Sequence, residues 1–224
     1  MTETLRFNLS KESPQQILGL VREQNFAGTD RDSNLDIELT DALGQDFIGS
    51  GLRDVSIVRV IGNLGDFAFC SFGDGQAEVA GDAGAYLGHS FHSGILVLQG
   101  NAKDNVGAIA CGGTIAVLGN AGARLGIGMQ GADLVVRGSV GNQAGLGMRE
   151  GMIVVGGNAG KDLGLRMAGG TIYLRGDAES ISDDIEEHRM REPDRLKIGL
   201  LMLKAGIKAS GKEFRVYRSI HSRT

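Results

Sequence analysis

The chain has 224 residues, among them 37 glycines, 2 prolines, 2 cysteines and no tryptophan. So much glycine beside so little proline argues against a disordered linker, and Cys70 and Cys111 are too few for a disulfide framework or an iron–sulfur cluster within the chain. The net charge of −4 is uneven: residues 188–224 hold ten Lys/Arg against three acids, a surplus of +7 that leaves −11 elsewhere.

Met1-Thr2-Glu3-Thr4 carries no basic region followed by an apolar run, so no secretory signal is expected. No apolar run reaches membrane-spanning length, and a cytoplasmic protein is the expectation. Leu5-Arg6-Phe7-Asn8-Leu9 alternates as a short strand does. Ser13-Pro14-Gln15-Gln16 predicts a helix start, with Ser13 as N-cap, Pro14 at the first helical position and Gln16 closing a capping box. The helix carries Ile17, Leu18, Leu20 and Val21. A loop containing Gly28, Thr29, Asp30, Arg31, Asp32 and Ser33 follows, and then Leu35, Ile37 and Leu39 alternate. Residues 1–41 read as an N-terminal cap segment. From Ala42 to Gly51 a degenerate coil begins, with Gly44, Gly49 and Gly51 out of phase with what comes next.

From Gly62 the chain repeats itself. Glycine recurs at Gly62, Gly81, Gly100, Gly119, Gly138, Gly157 and Gly176, always 19 residues apart. Further glycine columns lie three, seven and thirteen positions on, broken at single corners by Lys103, Phe69 and Ala132. Glycine at fixed corners points to positive φ or to close backbone approach. Two positions ahead of the leading glycine sit Val60, Val79, Leu98, Val117, Val136, Val155 and Leu174; four ahead sit Val58, Ala77, Leu96, Ile115, Leu134, Ile153 and Ile172. The position between is mixed, which is the alternation of a strand with one buried face. One after the glycine come Asn63, Asp82, Asn101, Asn120, Ser139, Asn158 and Asp177, residues suited to a stacked hydrogen-bonding ladder.

Side chains keep their places in this way when each copy lies on the one before. The fold class is therefore all-β: a single-stranded right-handed parallel β-helix of about seven coils, with about 19 residues in each, over residues 42–180. Short helical or irregular segments cap its two ends. At a strand spacing of about 4.8 Å the coils make a rod roughly 30 Å long. Leucine-rich repeats have a Leu-spaced consensus that is missing here, and a hexapeptide solenoid would need a six-residue apolar period.

After Gly176 the pattern stops, and residues 181–224 read as a helical and basic tail. Ser182-Asp183-Asp184-Ile185-Glu186-Glu187 predicts a capped helical turn, and Pro193 divides it from a short helix between Leu196 and Ile207 that covers the last coil. The segment Lys212–Arg223 is basic, with Phe214, Val216 and Tyr217 as anchors. It reads as docking on the acidic body or on a partner subunit. No aromatic-interleaved platform or nucleic-acid motif accompanies it, so no nucleic-acid partner is expected.

Several residues invite chemistry. Gly126-Ile127-Gly128 and Gly145-Leu146-Gly147 resemble phosphate loops, but the same glycines serve as corners in every coil. His89 falls beside Cys70 and His92 beside Cys111, a set reminiscent of zinc, but the two pairs occupy different positions on the coil. Glu78, Asp104, Asp133 and Glu150 are the outward acids that a glycosidase-like site would use, and they are scattered. Thr2 excludes a glutaminase with an N-terminal cysteine nucleophile. No residue is read as catalytic, cofactor-binding or metal-ligating.

The glycine-corner repeat, over roughly residues 28–180, resembles the GXGXG domain at the C-terminus of the glutamate synthase large subunit. The same domain type occurs in one chain of formylmethanofuran dehydrogenase and of the related formyltransferase/hydrolase complex. Thr29-Asp30-Arg31 resembles the segment leading into the domain in glutamate synthases. The stretch from Glu192-Pro193-Asp194-Arg195-Leu196-Lys197-Ile198-Gly199 to Glu213-Phe214-Arg215-Val216-Tyr217-Arg218 is similar to the stand-alone glutamate synthase domain-3-like proteins, which form one of the chains of N-methylglutamate synthase. That resemblance implies a complex of three chains making N-methyl-L-glutamate from methylamine and L-glutamate. A glutaminase-like subunit and a synthase subunit bearing FMN and an iron–sulfur cluster would be the partners. It implies a rigid spacer with no catalytic residue of its own. A one-carbon formyltransferase/hydrolase component is the alternative it leaves open, and a self-assembling solenoid is opposed by the atypical ends.

Overall fold

The computed structural model describes residues 3–27, 35–204 and 214–221. The expected loop at residues 28–33, its Thr29-Asp30-Arg31 segment, and the tail residues 205–213 lie outside these. The strands are β1 (Glu3–Asn8), β2 (Leu35–Leu43), β3 (Ile57–Asn63), β4 (Gln76–Ala80), β5 (Ile95–Leu98), β6 (Thr114–Val117), β7 (Gln130–Val136), β8 (Glu150–Val155), β9 (Thr171–Leu174), β10 (Ile185–His188) and β11 (Arg215–Ser219). Two helices join them, α1 (Pro14–Ala27) and α2 (Glu192–Lys204). All the strands form one sheet in the order β1-β2-β3-β4-β5-β6-β7-β8-β9-β11-β10.

From β3 to β9 neighbours are parallel, and the partners are the predicted columns: Val58 faces Ala77, then Leu96, Ile115, Leu134, Ile153 and Ile172. A second line of parallel bridges runs Ala83, Ala102, Ala121, Val140, Ala159, Ala178 on another side of the coil. The expected parallel β-helix is thus what the chain forms. Both inward columns are buried, and Phe72, Phe91, Ala110, Met129, Met148 and Met167 fill the space beside them. Each large buried aliphatic or aromatic side chain contributes about 1.5–3 kcal/mol relative to exposure. No coil could bury this face alone, so the energy belongs to the stack.

Glycine serves two different needs. Gly81 has ordinary φ, but a Cβ there would collide with the carbonyl oxygen of Gly62 in the coil below. Gly107 has φ +64, and its Cβ would press to 2.7 Å from Cδ2 of Leu134. Phe69, the exception in that second column, takes the same left-handed backbone, with φ +53, and tucks its ring into the core against Phe72.

The N-terminal end follows expectation. Gln16 N donates to Ser13 Oγ at 3.3 Å and Ser13 N to Gln16 Oε1 at 2.8 Å, the reciprocal capping box. Ile17 and Leu18 then line a small cavity with Leu39, Ile48 and Leu52, so α1 plugs the first coil. β1 and β2 continue the parallel sheet beyond the repeat. The β2–β3 register slips between Leu39 and Ala42, where Asp41 has φ +57, and this puts the first coil out of phase.

The C-terminal end departs from expectation twice. Residues 182–187 are not a helical turn: the Ser182 hydroxyl and the Asp184 carboxylate close a tight turn, and Ile185–His188 then extends as β10. Strand pairing with β11 outcompetes the local helix signal. Pro193 does not divide two elements either; it lies in the first turn of α2, where its missing N–H costs nothing. β11 runs antiparallel to β9 and β10 antiparallel to β11, so the parallel stack ends in a reversed pair.

Candidate functional site

With the interior filled, chemistry and recognition fall to the outer surface. Along the polar edge every coil is tied to the next. Asp82 N donates to Asn63 Oδ1, Asn101 N to Asp82 Oδ1, Asn120 N to Asn101 Oδ1, Ser139 N to Asn120 Oδ1, Asn158 N to Ser139 Oγ and Asp177 N to Asn158 Oδ1, all at 2.7–3.0 Å. The predicted ladder exists, and its main bonds run from backbone to side chain. A second ladder lies four positions after the leading glycine. Ala85 N donates to Asp66 Oδ1, Ala123 N to Asp104 Oδ1 and Lys161 N to Asn142 Oδ1. Its signal was available in the alternation Asp66, Ala85, Asp104, Ala123, Asn142.

The glycine runs lack free donors. Gly126 N bonds Val106 O, Gly128 N bonds Leu146 O, Gly145 N bonds Leu125 O and Gly147 N bonds Leu165 O, at 2.8–2.9 Å. Those N–H groups tie coil to coil and cannot cradle a phosphate. The outward acids sit on separate coils. Glu78 pairs with Arg59 at 3.6 Å, Asp104 serves the second ladder and pairs with Arg124 at 3.3 Å, and Asp133 and Glu150 lie on β7 and β8. Cys70 and His89 are neighbours at 3.7 Å and Cys111 and His92 at 3.1 Å, as the columns predicted. Among the described residues no group of three His, Cys, Asp or Glu converges as a metal site would require.

The sheet's outer face divides in two. Mid-strand residues Arg59 and Glu78 are exposed, Val97 is half-buried, and Ala116, Val135, Val154 and Tyr173 are buried. The buried four form a second apolar cluster with Ile198, Leu201 and Met202 of α2 and with Phe214 and Val216. α2 therefore lies across the outside of the late coils, while β11 and β10 close the end. Asp194 pins this arrangement. It is buried; Tyr173 Oη donates to its Oδ1 at 3.0 Å, Arg218 Nη2 to Oδ1 at 2.6 Å, and Arg191 N to Oδ2 at 3.0 Å. Burial alone would push the Asp194 carboxyl up, but the Arg191 N–H, the Tyr173 hydroxyl and the Arg218 guanidinium together hold it below the usual range. Burial and the Asp194 hydrogen bond push the Tyr173 hydroxyl up, so it stays protonated as a donor.

The tail docks on the body, as its charge suggested. Arg215 donates to Asp177 at 2.8 Å and to the carbonyl of Gly176. Meanwhile α2 leaves Leu196, Leu200 and Leu203 exposed on its far side. Among the described residues no helix is long and apolar enough to cross a membrane.

A filled, glycine-cornered parallel solenoid with distinct outer faces defines the class: a β-helical domain. The family model described as GXGXG motif matches residues 21–199, and the chain belongs to that family. The match runs from within α1 to within α2, so it takes in the coils and the first part of the covering helix. No curated protein sequence matches the chain.

Proposed function

We propose that this chain is a non-catalytic spacer subunit of a glutamate synthase-like assembly, of the N-methylglutamate synthase type. Such an assembly converts methylamine and L-glutamate to N-methyl-L-glutamate and ammonia. A glutaminase-like chain and a synthase chain carrying FMN and an iron–sulfur cluster are the partners in this reading. Membership of the GXGXG family supports the glutamate synthase-like setting. The observation that carries the spacer role is the continuous bonding of each coil to the next. Apolar columns inside and side-chain ladders outside act in parallel, and together they resist bending and twisting.

The test is an affinity pull-down of the chain from its native source, with mass spectrometry and a visible spectrum of the eluate. Co-elution of a flavin- and iron–sulfur-bearing chain together with a glutaminase-like chain is the expected result. Methylamine-dependent turnover by the isolated chain would end the spacer reading. Co-elution with a formyltransferase in place of the flavoprotein would replace it with the one-carbon alternative.

A further inference from the structure

The two cysteine–histidine pairs differ in what their imidazoles can do. At Cys70 the contact is loose: Sγ lies 3.7 Å from His89 Nδ1, and that nitrogen sits 3.0 Å from the Ser90 hydroxyl. At Cys111 it is close. Sγ is 3.1 Å from Nδ1 of His92, and the alternative acceptor, the carbonyl of Phe91, is 3.5 Å away. Cys111 and His92 are both exposed, on the same corner of consecutive coils. The residues after Cys111 are Gly112 and Gly113, which have no side chain to cover the sulfur. Below His92 in the same column stands Gly73, with the Arg53 side chain beside it, and above Cys111 stands the exposed Gln130. Charged groups near this corner include Asp74, which accepts from the Ser93 hydroxyl at 2.8 Å, Arg53, which flanks Gly73 together with His92, and the exposed Arg149, two coils beyond Cys111 in the same column.

We infer that Cys111 is a thiol–disulfide exchange site for low-molecular-weight disulfides, with His92 as the base that takes the thiol proton. The thiolate is the nucleophile in such reactions, and an adjacent imidazole generates it without hydroxide. The Cys111 S–H bond breaks and its proton moves to His92 Nδ1. The sulfur attacks one sulfur of the incoming disulfide; a new S–S bond forms and the old one breaks. The departing thiolate takes the proton back from His92. Cys111 is oxidised to the mixed disulfide, half of the reagent is reduced to a thiol, and no other oxidant is needed. The site is independent of which assembly the chain joins.

The experiment uses the full chain carrying Cys70→Ser, so that Cys111 is the one thiol. Release of aromatic thiolate from dithiobis(nitrobenzoate) is followed near neutral pH, and oxidised glutathione serves as a second probe, read by intact mass. His92→Gln is expected to slow the reaction about tenfold or more, with an unchanged melting curve. His92→Asn is the second variant, should the first fail to fold. Expected too is a glutathione adduct on Cys111 that Cys111→Ser removes. Equal rates with and without His92, or no glutathione adduct on Cys111, would overturn the inference.

Discussion

The early and late coils share one interior and differ outside. Around β3 and β4 the mid-strand outward residues are Arg59 and Glu78, solvated and paired across strands. Around β6 to β9 the same column reads Ala116, Val135, Val154 and Tyr173, and α2 covers it. A strand buried on one face alternates, whereas a strand buried on both reads as continuously apolar. The difference teaches that a solenoid's inward columns specify the coil, while its outward column specifies what leans against it. The open early face and the exposed leucines of α2 are then two separate surfaces.

The largest effect should come from placing a charge under α2. Val154→Asp buries an unpaired carboxylate and is expected to cost about 3–5 kcal/mol, read by chemical denaturation. The matched change in the open half, Glu78→Val, should stay within about 0.5 kcal/mol. Equal effects at the two positions would break the distinction between the faces.

Next comes the clamp that holds the covering helix. Asp194→Asn leaves Arg218 without its carboxylate and should cost about 1.5–3 kcal/mol. Because the Asp194 carboxyl is held below the usual range when folded, its contribution is complete above the unfolded value of about 4. It is lost as pH falls through the folded value. Melting curves taken at falling pH should therefore converge for the native chain and the Asp194→Asn variant; parallel curves would remove Asp194 as the cause.

Smaller still is a break in the polar ladder. Asn120→Ala removes the acceptor for Ser139 N on the solvent side, at an expected cost of about 1 kcal/mol. Hydrogen exchange of the Ser139 amide should rise locally, without global unfolding. Least of all is Arg59→Ala in the open half. Its ion pairs to Asp36 and Glu78 are exposed and long, so a shift below about 0.5 kcal/mol that vanishes in high salt is expected.

Much of this was legible beforehand, because repetition turns sequence distance into spatial distance. The interval of 19 residues predicted that Val117 meets Leu98 and Val136, and so it does. It also predicted the pairing of Cys111 with His92 and the line of Asn side chains. The capping box at Ser13 was legible for a different reason: its partners are three residues apart and need nothing from the fold. The footprint of α2 was written in the mid-strand column, in the change from Arg59 and Glu78 to Val135 and Tyr173, but its meaning needed a helix whose position no local pattern gives.

The sequence by itself determined the coil: its length, its inward faces, its glycine corners and the start of its N-terminal helix. All of these rest on contacts that are local or recur at one fixed interval. The tertiary structure alone decided how the chain ends. Residues 185–188 became a strand because β11 was there to pair with them, and Asp194 became the clamp because Tyr173 and Arg218 reach it from elsewhere in the chain. It likewise decided the left-handed backbone at Phe67, Tyr86, Asn105, Arg124, Gln143 and Asp162. Asn105 and Asp162 are types that take positive φ readily, but Phe67, Tyr86, Arg124 and Gln143 are not; the cost is offset where each N–H but the last reaches a carbonyl of the next coil. Contacts without a period leave no mark in a sequence until the fold brings their partners together.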